Sequence, residues 1–449
     1  MKCRVINSRD VLKVNRFDGS YHNADANVYD EIIRSHSDHN LDYYCSTIFT
    51  SGRAKRLYTK QEFGYPFLSN ADVASQNPLS ACNYASKKYS YDETSFLKGG
   101  MILTGRVGAI GQTSFVPKYW EKYEMMGSDN IIRIVVKPEH KNGFIYAYLA
   151  SKIGNLSFWK HATGGVQPFI TDSMVGTLPI PDIQESIQEK VDTLIKESAM
   201  LREESLRALN ESHTMIGSHF HDVPETMSIG VVSSKTVLGS QLHRFEGNYH
   251  LAEGKRYDEY IKNHFTWRSL GDVSQSISRP DICKRMYVKD GITFLGGTDI
   301  FLSVPDSKKK LSQKAPNIDD YLIQEGWILI PRSGTIGDVV FTNEQHAQKL
   351  VSEHVIRIVP NNILRRGFVF SFLSSKIGKA LIQRPIFGSV IQHVEPPLLA
   401  VIPIPIFDDD EMEIIASLAE THRECWGKAA KKELEAIALV EQEIEKWNR

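Results

Sequence analysis

Apolar residues along this chain recur in two registers. Short runs dense in aliphatic and β-branched side chains, MILTG (101–105), IIRIVV (131–136), WILIP (327–331) and VIRIV (355–359), are each punctuated by glycine or polar residues and predict short strands. Between them, apolar positions three or four apart (Tyr29, Ile32 and Ile33; Phe144, Tyr148, Leu149 and Ile153) predict helices with one buried face. Two longer stretches keep that spacing over many turns. The first runs through Ile183, Ile187, Val191, Leu194, Ser198 and Leu201, and the second through Ile415, Leu418, His422, Cys425, Ala429, Ala436, Val440, Ile444 and Trp447. Both seams have highly charged outer faces, as paired long helices do.

The strands and helices occur twice in the same order. RFDGSYHNADANVYDEII (16–33) aligns without gaps with RFEGNYHLAEGKRYDEYI (244–261), with ten identities in eighteen positions. GGMILTGRVGAIG (99–111) parallels EGWILIPRSGTIG (325–337), which places Arg106 with Arg332, Gly108 with Gly334 and Gly111 with Gly337. NIIRIVV pairs with HVIRIVP, GFIYAYLASKIG (143–154) with GFVFSFLSSKIG (367–378), and LPIP (178–181) with IPIP (402–405). Self-similarity of this extent is an internal duplication. The predicted fold is α+β: two tandem homologous modules, residues 1–181 and 221–405, separated by a helix over 182–220 and followed by one over 406–449. Two equivalent seams can satisfy each other, so the helices are expected to form an antiparallel coiled coil that relates the modules by a pseudo-two-fold.

Composition then narrows the class. The 449 residues are 41% apolar and 24% charged, and contain no apolar run long enough to span a membrane. The N-terminus lacks the apolar core of a secretory signal, so a cytoplasmic protein is expected. Cys3, Cys45, Cys82, Cys283 and Cys425 are isolated and odd in number, which suggests neither a disulfide framework nor a zinc knuckle. The net charge of -1 is unevenly spread. Residues 182–211 and 408–449 together carry -10, leaving +9 on the remaining chain, a balance that permits phosphate contact.

Catalytic motifs are not found. There is no Asn/Asp-Pro-Pro-aromatic tetrad, no Walker A loop, no glycine-rich cofactor loop after an N-terminal strand and no His-Glu-x-x-His. The Gly108–Gly111 segment lacks the lysine and serine of a phosphate loop and reads as a tight turn. One nuclease-like pattern can be assembled from Asp281, Asp306 and Lys308. It has no equivalent in the first copy, and Asp306 sits in the polar segment VPDSKKKLSQK rather than on a strand able to hold a metal. Neither a catalytic nor a metal site is therefore assigned. Basic clusters are more suggestive: Lys87, Lys88 and Tyr89 precede the strand-turn block of the first copy, and Lys308, Lys309, Lys310 and Lys314 precede that of the second. A shared scaffold carrying diverged basic segments suits two DNA readers of different sequence, because phosphate contacts position and base contacts specify. Arg106 and Arg332, in glycine-flanked turns, are added as DNA contacts, with pairing to a carboxylate of the same module as the alternative.

The G-x-I-L-x-x-R-x-G-x-I-G-like blocks ending at Gly111 and Gly337, the L-x-S-K-I-G segments at Leu149 and Leu373, and the helix entry LPIPDIQESIQEKVDTLI resemble the specificity (S) subunits of Type I restriction-modification systems. The resemblance covers nearly the whole chain. It departs at the helix entry, where Pro181-Asp182-Ile183-Gln184-Glu185 replaces P-x-x-E-Q, and at the acidic run 408–411 that opens the second helix. It implies target-recognition domains that each read one half of a split, asymmetric site in double-stranded DNA. It also implies that the helices dock methyltransferase subunits, two by the duplication, and in some systems a restriction or translocase subunit. On that reading Ile187, Val191, Leu194, Leu201, Leu418, His422, Val440 and Ile444 serve partner binding, this chain has no catalytic role, and S-adenosylmethionine belongs to the partner. A metal-dependent nuclease and a scaffold that does not bind DNA are the rival readings.

Overall fold

The computed structural model describes residues 5–447 except 15, 23–24, 54, 81, 224–230, 240–243, 283 and 362, so Cys3 and Cys283 lie outside the described residues. Two compact units divide the chain. One comprises residues 1–203 and 428–449, the other residues 204–427.

In the first unit, helix α1 (Ala26–Arg34) leads into β1 (Cys45–Thr50), β2 (Gly64–Leu68), β3 (Asn83–Ser86), β4 (Ile102–Gly105), β5 (Thr113–Phe115), β6 (Met126–Gly127) and β7 (Ile131–Val136). Helices α2 (Asn142–Ala150) and α3 (Lys152–His161) follow, and then the long α4 (Glu185–Ser218) begins. The strands make a four-stranded antiparallel sheet, β1-β7-β4-β5, and a three-stranded sheet, β3-β2-β6, in which β2 and β6 are parallel. Ile102, Ile132 and Ile134 of the larger sheet are fully buried against Phe144, Tyr148 and Leu149 of α2. The smaller sheet stands on its own cluster around Leu68, Leu97, Trp120 and Met125.

The second unit repeats this order. After α5 (Glu253–His264) come β8 (Thr266–Ser269), β9 (Ser274–Ser278), β10 (Tyr287–Leu295), β11 (Lys310–Leu311), β12 (Ile328–Pro331), β13 (Val340–Phe341), β14 (Leu350–Val351) and β15 (Val355–Pro360). Helices α6 (Arg366–Ser374) and α7 (Lys376–Gln383), strand β16 (Pro403–Ile406) and the long α8 (Asp409–Trp447) complete it. Its sheets, β13-β12-β15-β9 and β11-β10-β14, match those of the first unit strand for strand, and β16 pairs with β8.

Much of the repeated sequence is explained by shared joints. In L-x-S-K-I-G, the Ser151 hydroxyl accepts from Gly154 N at 3.1 Å and Ser375 does the same for Gly378 at 3.2 Å, capping α3 and α7. A Cβ at Gly154 or Gly378 would lie 2.3 or 2.2 Å from the carbonyl oxygen of Tyr148 or Phe372, so only glycine allows the two helices to meet. The opening Arg-Phe motif is a latch. Arg16 donates to the carbonyls of His161 and Ala162 at the C-terminus of α3, and Arg244 to those of Pro385 and Ile386 after α7. The buried pair Lys160–Asp30 ties α1 to α3, and the part-buried pair Arg384–Asp258 ties α5 to the end of α7, at matching positions.

The long helices, about 51 and 58 Å at roughly 1.5 Å per residue, pair antiparallel within each unit. In the first, Lys190 meets Glu435, Lys432 meets Glu197, and the Ser198 hydroxyl donates to Ala429 O at 2.8 Å. In the second, Ser205 and His422 bond at 2.9 Å and His219 meets Glu411 at 2.8 Å. This corrects the assignment of seam residues to partners. Val191, Leu194, Val440 and Ile444 are enclosed in the core of the first unit, with Ile187 packed against them, and His422 is buried in the second. Leu201 and Leu418 are half-buried. The seam is consumed by the chain's own cores.

Candidate nucleic-acid interface

The basic clusters lie on the edge of the smaller sheet in each unit. Lys87 and Lys88 occupy the turn after β3, where the Lys87 ammonium sits 5.1 Å from the Tyr65 ring centroid and Lys88 lies 5.1 Å from that of Tyr89, which is itself 61% exposed. Lys308 and Lys309 are exposed ahead of β11, Lys310 opens it opposite Thr293 of β10, and Lys314 is exposed beyond it. Backbone hydrogen bonds fix the correspondence: Ser86 N donates to Leu57 O at 2.8 Å, and Ser312 N to Met286 O at 2.9 Å. Lys88 therefore corresponds to Lys314, whereas Lys308–Lys310 occupy the approach to the strand, where the first unit has Cys82–Tyr84. The two clusters share an edge but coincide along it only at Lys88 and Lys314.

The paired arginines separate as well. Arg332 donates from Nε to Glu395 at 2.8 Å and brings Nη2 to 2.6 Å, while Arg279 holds the same carboxylate at 3.1 Å. The two guanidiniums hold the Glu395 carboxyl below the ordinary glutamate range, although partial burial opposes them. Arg332 is thus the structural alternative, a tie within its own module, which corrects its placement among free DNA contacts. The residue aligned with Glu395 is Thr171, whose hydroxyl caps a short helix. Among the described residues the half-exposed Arg106 side chain has no hydrogen bond or ion pair. Both turns adopt left-handed glycine conformations, with φ of 76° and 73° at Gly108 and Gly111 and 81° and 109° at Gly334 and Gly337. A Cβ at Gly111 would meet Asn155 Nδ2 at 2.6 Å, so this glycine is a packing joint against α3.

A further repeat escapes motif reading. Residues 55–60, KRLYTK, match residues 284–289, KRMYVK, at four of six positions. Each segment runs beside the basic edge: Tyr58 bridges Ala85 next to β3, and Tyr287 pairs with Leu311 of β11. Each arginine is braced identically. Arg56 binds Asp129 and lies 5.7 Å from the Phe67 ring, while Arg285 binds Glu353 at 2.5 Å and lies 5.1 Å from the Phe294 ring. Comparing the two stretches directly would have exposed the repeat, which the denser lysine runs overshadow.

One buried cation ties the smaller sheet of the first unit to the larger. Arg133, fully buried in β7, donates to the carbonyls of Ile131 (2.6 Å), Ser128 (3.0 Å), Gly127 (2.5 Å) and Ser95 (3.3 Å). Burial lowers its pKa to about 10, against the pull of Asp92 and Asp129. Asp281 and Asp306 are both exposed, and among the described residues no three His, Cys, Asp or Glu side chains converge on a metal position.

Residues 263–436 match the family model of the Type I restriction modification DNA specificity domain. A comparison with curated proteins gave no match. Among solved structures, the S subunit of the Type I restriction-modification system of M. genitalium aligns over 91% of this chain and 94% of its own, at 13% identity and a TM-score of 0.34. The S subunit from Thermoanaerobacter tengcongensis aligns over 90% and 95%, at 14% identity and 0.28. A Type I restriction-modification complex described for its assembly and conformational transition aligns over 92% and 97%, at 13% and 0.29.

Proposed function

We propose that this chain, whose residues 263–436 match the family model of the Type I restriction modification DNA specificity domain, reads a split, asymmetric site in double-stranded DNA for enzymes it does not itself contain. It is a DNA sequence-specificity subunit without a catalytic role. The observation that carries the bipartite reading is the duplication: two units with the same sheets, latches and caps present unlike side chains on one matching edge, Lys87–Tyr89 in one and Lys308–Lys314 in the other. A common frame with unlike readers recognises two different short sequences.

The partners are methyltransferase subunits, two by the duplication, with a restriction or translocase subunit in systems that cleave. They dock on the charged outer faces of the long helices and supply S-adenosylmethionine. The decisive experiment maps methylated positions across the genome of cells with and without this chain. Loss of methylation at one split motif is expected when the chain is removed. An unchanged methylation map, or a chain that copurifies with no methyltransferase, overturns the proposal. Magnesium-dependent cleavage by the purified chain, abolished by Asp306→Ala, would establish the nuclease reading instead.

A further inference from the structure

The segments 55–60 and 284–289 are a continuous stretch of the basic edge in which the two units share four of six residues. Their arginines are already engaged, each clamped by a carboxylate and stacked near a phenylalanine ring, so they set the path of the segment and have little freedom to bind anything else. The lysines are different. Lys55, Lys60, Lys284 and Lys289 are all exposed, and among the described residues none makes an ion pair or side-chain hydrogen bond. Between them, Tyr58 and Tyr287 are 51% and 52% exposed. In an extended chain residues two apart share a face, so Tyr58 with Lys60, and Tyr287 with Lys289, present a phenol and an ammonium together.

Four unpartnered ammonium groups on matching strips call for an anionic ligand. Identity between the strips says which part of the ligand they meet. If the two units read different bases, residues common to both cannot be the readers; they meet what the half-sites share, which is the phosphodiester backbone. We propose that Lys55, Lys60, Lys284 and Lys289, with Tyr58 and Tyr287, form a sequence-independent backbone clamp, one strip per unit, beside which the unlike edge residues read bases. The inference rests on the DNA-reading proposal, but it can fail separately.

The test uses the full-length chain and two probes, a duplex of random sequence and a duplex carrying the mapped methylation motif, with affinity measured across salt concentrations. Replacing all four lysines by glutamine should flatten the slope of log affinity against log salt on both duplexes by about 3.6, at roughly 0.9 per lost phosphate contact. Replacement by arginine should restore the slope, and the preferred sequence selected from a random pool should not change. Because these side chains are exposed and make no ion pair or side-chain hydrogen bond among the described residues, the melting temperature should hold. An unchanged slope in the glutamine variant, while the wild-type chain still binds DNA, overturns the clamp and leaves the reading function standing. So does a changed sequence preference, which would make these residues readers. A wild-type chain that binds neither duplex takes down the reading function and the clamp together.

Discussion

Arg332 brings Nη2 to within 2.6 Å of Glu395, whereas Arg106, its counterpart in the first unit, aligns with a module that has Thr171 in place of that glutamate. One of the paired arginines is a brace, and the other, among the described residues, makes no side-chain hydrogen bond or ion pair. Losing a partner of a part-buried, charge-assisted pair costs about 1.5–3 kcal/mol. Arg332→Ala should therefore lower the thermal stability of the second unit while leaving the salt dependence of DNA binding unchanged. Arg106→Ala should do the reverse, leaving melting unaffected and lowering affinity. Reversed outcomes for the two variants in paired melting and binding assays would show the assignment to be wrong.

Arg133 offers a second test. Its guanidinium satisfies three carbonyls of the segment from β6 into β7 and a fourth, that of Ser95, ahead of β4, and no lysine presents the planar donors to serve all four at once. Arg133→Met should destabilise the first unit by about 3 kcal/mol, since it strips buried carbonyls of their donors. Chemical denaturation followed by a probe in that unit measures it. A change under about 0.5 kcal/mol would mean that water replaces the guanidinium.

How much of this was legible in the sequence follows from which residues carry each feature. The duplication was readable because its strongest blocks are local joints: a serine cap three residues before a close-contact glycine at Ser151 and Gly154, and an arginine latch beginning at Arg16. The long seams were readable for the same reason, since helical spacing is local. What covers those seams was not. Val191 and Val440 are 249 positions apart and bury themselves in the same core, which no periodicity reveals. The Arg332–Glu395 tie spans 63 residues. The match of Lys88 to Lys314 rests on backbone hydrogen bonds rather than on charge density, which is why the lysine runs looked equivalent as a whole.

Acid should weaken the second unit first. Burial lowers the pKa of His346 and His422 to about 4, and burial with His422 nearby does the same to His213. In the unfolded chain each titrates near 6.5. Between about pH 6.5 and 4 the unfolded state therefore binds protons that the native state excludes, so stability falls as pH falls through this window and levels off below it. Each histidine contributes at most about 1.4 kcal/mol per pH unit there. His346→Gln should flatten the dependence of unfolding free energy on pH by up to one proton, whatever it does to stability at pH 7. A slope identical to wild type between pH 4.5 and 6 would mean that His346 is not buried in its neutral form.

The duplication also predicts what a module exchange does. The boundaries must respect the sheets: β8 pairs with β16 from Ser269–Pro403 to Thr266–Ile406, so an exchange has to carry both strands, and residues 244–406 do so. That segment also keeps the Arg244 latch with the carbonyls it grips at Pro385 and Ile386. Substituting the corresponding segment of another specificity protein should change one half of the methylated motif and leave the other half intact, because residues 55–60 and the edge at Lys87–Tyr89 remain untouched. The spacing between the halves should persist, since α4 and α8 are retained. Sequencing the methylated sites of the chimaera decides the matter. A motif altered in both halves would mean that the units do not read independently, and an unaltered motif would place base recognition outside residues 244–406.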